Sequence, residues 1–144
     1  MRWTSTLSLV AGIAICATAH AGEKPILDTR LRFESVEQDG VAETAEAMTL
    51  RGRLGFESGK VANTALLVEG EFIRAMVEDY NSTINGHTLH PVVADPSSSE
   101  LNRLQLTNGS LPGTTVTLGR QRIVLDDQRF VGNVAWRQNE QTFE

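Results

Sequence analysis

Arg30 and Arg32, then Arg51 and Arg53, stand two residues apart on successive stretches of alternating polarity. Arg103 and Arg120 recur farther along, and Glu69 and Glu71 repeat the same spacing in acidic form. A spacing of two puts both side chains on one face of an extended strand. Guanidinium groups in such a row attract anions and make two-point contacts to carboxylates when they line a water-filled passage. The pore-lining candidates are therefore Arg30, Arg32, Arg51, Arg53, Glu69, Glu71, Arg103 and Arg120. The competing role for the same arginines is a structural charge network, neutralised by Glu34, Glu57, Glu69 and Glu71. A second set, Arg122, Asp126, Asp127 and Arg129, would set a local field if residues 120–132 fold inward as a constriction. The alternative for that segment is an outer loop held by salt bridges.

Other chemistry finds little support. His87, His90 and Asp95 could form a zinc trio, but they fall in a long polar stretch with no scaffold to converge them. Asp126 and Asp127 lack the oxygen-ligand spacing of a calcium loop. Glu69 and Glu71 would lie about 7 Å apart on one strand face, a separation glycosidases use. Charges at that spacing are far more often wet-face residues. No serine sits in a nucleophile-elbow motif, and no His-Asp partner stands at a recognisable spacing. The expectation is a protein without catalytic residues, metal or cofactor.

These residues need strands to hold them. Between 47 and 57, Met48, Leu50, Gly52, Leu54 and Phe56 alternate with Thr49, Arg51, Arg53 and Glu57. This period-two pattern gives a strand one greasy face and one wet face. Residues 27–36 show it too, with Leu27, Leu31 and Phe33 against Asp28, Arg30, Arg32 and Glu34. Further strands are expected over 63–73, 100–107 and 114–121; residues 123–132 are mixed, and 133–143 alternate only loosely. Tight turns are predicted at 58–60 and 108–113, where Gly, Asn and Pro cluster, and a long irregular segment at 74–99. No helical period is sustained after the N-terminus, so the reading is all-β, up-and-down and antiparallel, with about six strands.

The N-terminus has its own character. Arg2, the apolar stretch 7–17 and Ala19-His20-Ala21 follow the pattern of a secretory signal with an A-x-A cleavage site. Residues 1–21 are expected to leave, taking Cys16, the only cysteine, with them. Residues 22–144 would then carry no disulfide and no thiolate. A formal net charge of −5 argues against a nucleic-acid partner.

Alternation alone allows two environments: a membrane barrel facing lipid and lumen, or a secreted soluble β-domain binding carbohydrate or a protein partner. Expected strands of about eight to eleven residues match the length that crosses a bilayer at a tilt. Connections that alternate between short turns and long loops also belong to outer-membrane barrels. Leu118-Gly119-Arg120-Gln121-Arg122 and the run from Gln128 to Phe143 resemble the N-terminal third of bacterial alginate-export-like outer-membrane porins. Asp79-Tyr80-Asn81-Ser82-Thr83, leading towards Pro91 to Pro96, resembles that family's long loop. The resemblance implies a transmembrane β-barrel in the bacterial outer membrane. It would be surrounded by lipid and would pass a small or polymeric anionic solute. Six strands are too few to close a bacterial barrel, whose smallest members have eight. The sequence therefore reads as the N-terminal strands of a larger barrel.

Overall fold

A computed structural model describes residues 22–125, 132 and 137–144. The expected signal segment and the candidates Asp126, Asp127 and Arg129 lie outside the described residues. The described chain forms one open antiparallel sheet of five strands in sequence order: β1 (Lys24–Val36), β2 (Ala45–Glu57), β3 (Thr64–Asp79), β4 (Ser98–Asn108) and β5 (Val116–Arg120). It has no helix, and five strands stand where about six were expected.

Alternation fixes which side chains share a face. Register pairs Arg30 with Arg51 and Arg32 with Thr49 across β1 and β2. It pairs Arg53 with Glu71 across β2 and β3, and Glu69 with Arg103 across β3 and β4. One face is therefore polar. The other carries Phe33, Leu54, Phe56, Leu66, Val68, Phe72, Leu104, Leu106 and Leu118, all exposed. On that face the ring of Phe72 lies over its cross-strand partner Gly52, where an added Cβ would come within 2.0 Å of it. The ring fills space that a side chain at Gly52 would need, an aromatic cover over a strand glycine.

β3 runs six residues beyond its predicted end at residue 73 because a bulge hides the continuation. Met48 pairs with Val77 and Thr49 with Ala75, so Met76 has no cross-strand partner on β2. An extra residue resets the alternation and makes the sequence look irregular. A second bulge lies opposite Glu69, which pairs with Arg103 while Gly70 pairs with Leu101. Asn102 is the additional residue, and it turns to the polar face beside Arg103. The predicted loop at 74–99 thus shrinks to 80–97.

The two ends of the sheet differ. Turns 58–63 and 109–115 join strands at one end, and the longer connections 37–44 and 80–97 lie at the other. The segment 80–97 folds back on itself: Asn81 N–H donates to Pro91 O (3.1 Å) and Val93 N–H to Asn81 O (3.0 Å). Beneath it Tyr80 and Val93 pack on Ala45 and Ala47, a small apolar core at the end of the polar face. Alanine at both β2 positions leaves room for the tyrosine ring.

Candidate functional site

The site is the polar face itself, built from β1 to β4 and covered by two segments, 80–97 and 137–144. Glu69, 1% exposed, sits at its centre. Its Oε1 accepts from Asn102 Nδ2 (2.7 Å), Arg103 Nε (3.0 Å) and Arg122 Nη2 (2.9 Å), while Oε2 meets Arg103 Nη2. One buried carboxylate thus answers two guanidinium groups and an amide. The Asn102 bulge is what lets two consecutive residues of β4 reach it.

Next along the face, Arg53 Nε donates to Glu71 Oε2 (2.7 Å) and its Nη2 to Glu140 Oε1 (2.7 Å). Arg122 Nε and Asn102 Nδ2 reach the other Glu140 oxygen, the latter at 3.1 Å. Arg51 Nη2 donates to Asp28 Oδ1 (2.6 Å). Arg32 is held between Glu34 and Asp95. Arg30 Nη1 donates to the carbonyl of Arg137 (3.3 Å) and stands in register with Arg51. Like charges facing each other repel, and the carboxylates around them offset that repulsion.

The covering segments are tied down by the same groups. Gln138 is fully buried. Its N–H donates to Asp95 Oδ1 (2.9 Å), and its Nε2 to Thr49 O (3.0 Å) and Oγ1 (2.9 Å). Glu140 N–H donates to Glu71 Oε1 (3.3 Å), and Asn139 Nδ2 to Ser98 Oγ (3.2 Å). Tyr80 Oη donates to Asp95 O (2.9 Å). Burial, with the nearby charges of Glu78 and Asp95, pushes the Tyr80 phenol up to about 12.

Of the eight lining candidates, seven share this face: Arg30, Arg32, Arg51, Arg53, Glu69, Glu71 and Arg103. Arg120 does not join them. It stands in register with Leu104, on the apolar side, and its guanidinium bonds Leu101 O (2.9 Å) and Glu144 Oε1 (2.6 Å). β5 begins its alternation at Val116, so position 120 falls with Val116 and Leu118. Arg122 joins the network through Glu69 and Glu140. Among the expected acidic partners, Glu57 stands apart, 3.5 Å from exposed Lys24.

The rings of His87 and His90 lie 6.0 Å apart between centroids, but Asp95 does not join them. The Nδ1 atoms of His87 and His90 bond the carbonyls of Glu78 and Thr44, both at 2.9 Å, and Asp95 belongs to Arg32. No cluster able to hold a metal is found among the described residues. Sequence reasoning missed Asn102, Gln138 and Glu140 as site residues, and weighed Asp95 for zinc rather than as the partner of Arg32. Asn102 had a signal, two polar residues in succession between Leu101 and Leu104. The others come from irregular segments, where no period marks a face.

Comparison with protein-family models, with curated proteins and with solved structures finds no match to this chain.

Proposed function

We propose that this sheet is part of the wall of an outer-membrane β-barrel channel, with its apolar face in lipid and its polar face towards a water-filled lumen. The observation that carries the reading is an inversion of burial. Arg32, Arg51, Arg53, Glu69 and Glu71 are at most 8% exposed, whereas Leu54 is 57% and Leu118 68% exposed. A soluble domain hides its leucines and keeps charges outside unless they are paired. A barrel wall does the reverse, because its outer solvent is hydrocarbon.

Two further features support it. β1 to β4 run 11 to 16 residues, long enough for the roughly 9–11 residues a tilted strand needs to cross a bilayer. Short turns at one end and long connections at the other match the two sides of an outer membrane. Among the described residues the outer edges of β1 and β5 have no partner strand, and lipid does not tolerate open edges, so this reading requires further strands to complete the cylinder. The resemblance to alginate-export-like porins points to the same location and to a passive role without cofactor. The arginines of the polar face would favour anionic solutes.

The test is extraction and electrophoresis of the complete protein from a bacterial envelope. A closed barrel stays in the membrane until detergent is added and migrates differently before and after boiling. Release into plain buffer, with mobility independent of boiling, would sink the proposal in favour of a secreted soluble β-domain.

A further inference from the structure

We infer that residues 137–140 are a displaceable strap that occludes the polar face and lifts from it to open the passage; the inference rests on the channel reading above. The segment crosses from β1 to β4. Arg137 O accepts from Arg30, Gln138 is bonded to Thr49 on β2 and to Asp95, Asn139 to Ser98 on β4, and Glu140 to Arg53, Asn102 and Arg122. With Gln138 fully buried, the strap covers the middle of the arginine rows.

Three observations make it removable. First, most ion pairs of the face do not involve it, although Arg30 and Arg51 also donate to its carbonyls. Arg53 keeps Glu71, Arg103 and Arg122 keep Glu69, Arg51 keeps Asp28, and Arg32 keeps Glu34 and Asp95. Lifting Glu140 therefore strands no guanidinium in a dry site, the situation that makes breaking a buried ion pair costly. Second, the seat is imperfect. Gln138 Oε1, Asn139 Oδ1 and Arg51 Nε are buried without a hydrogen-bond partner. Water reaching these atoms on opening would satisfy them and offset the bonds lost. Third, Gln138, Asn139, Glu140 and Gln141 bring no apolar side chain to anchor the strap. Segments held by polar contacts alone belong to the low-stability end of a structure, where gates are found. A cavity of about 450 Å³ borders the strap between Arg137, Asn139, Thr83 and Pro96, leaving room on its flank.

The test pairs amide hydrogen exchange with conductance, on the complete protein in detergent and in planar bilayers, for wild type, Glu140→Gln and Gln138→Ala. In wild type the amides of Gln138 and Glu140, which donate to Asp95 and Glu71, should exchange slowly. In both variants they should exchange about tenfold faster or more, and open-channel conductance or open time should rise. Unprotected amides in wild type, or slow exchange with unchanged conductance in both variants, would overturn the strap. Absence of current from all three proteins would refute the channel and with it the gate, while exchange would still report whether the segment is seated.

Discussion

Replacing Glu69 by glutamine removes the charge at the centre of the network while preserving its shape. Glu69 is 1% exposed and faces Arg103, Arg122 and Asn102, so the variant takes the carboxylate from Arg103 and leaves Arg122 with Glu140 at a half-buried site. The glutamine amide must also turn its NH₂ towards cations that donate and cannot accept. Breaking a buried pair by removing one partner costs roughly 3–5 kcal/mol. The internal control is Glu57→Gln, whose partner Lys24 is 70% exposed at 3.5 Å. Pairs of that kind contribute about 0–1 kcal/mol. The assay is urea unfolding of the complete protein in micelles, followed by the circular dichroism of the sheet. With a slope of about 2 kcal/mol per molar, Glu69→Gln should lower the midpoint by roughly 1.5–2.5 M. Glu57→Gln should move it by less than about 0.5 M. Equal midpoints for the two variants would refute the claim that burial sets the strength of the network.

Tyr80 is the only tyrosine among residues 1–144, so in this 144-residue chain tyrosinate absorbance reports it alone. Its phenol is raised to about 12 in the fold against about 10 when unfolded. The fold thus holds the proton more tightly, and this contribution to stability is complete below about pH 10 and lost as pH rises through 12. A folded-state titration midpoint near 10 would contradict its burial. Gly119 adopts φ +100°, and an added Cβ would lie 2.3 Å from Leu104 O. Gly119→Ala should therefore cost about 1–3 kcal/mol and free β5 first, seen as faster exchange of the 116–120 amides; unchanged exchange there would count against the strain. Neutralising Arg51 and Arg53 together should shift the bilayer reversal potential towards cation preference, and an unmoved potential would remove them from selectivity while leaving the channel proposal standing.

Much of the sheet was legible because strand alternation is written in consecutive residues. The run from Met48 to Glu57 names its own two faces, and β1 and the first half of β3 do the same. Legibility fails where one residue is added. The bulge at Met76 made the end of β3 look like loop, and the bulge at Asn102 weakened β4. Arg120 was assigned to the wet face by its charge alone, whereas the register of β5 sets it beside Leu118. The partners Asp95 and Glu140 are contributed by irregular segments. Their positions depend on how the chain returns to the sheet, which no local pattern encodes.

The two bulges also bear on how the strands find their partners. A slip of one residue turns every side chain to the wrong face, and the difference in polarity between the two faces opposes it. A slip of two leaves each side chain on its own face, so the polarity of the faces does not detect the error. What detects it is the order of signs along the polar face. A two-residue shift of β4 would take Arg103 from Glu69 and leave Asn102 without its place opposite that carboxylate. The ion network thus acts as an alignment key, carrying the information about strand position that hydrophobicity cannot hold.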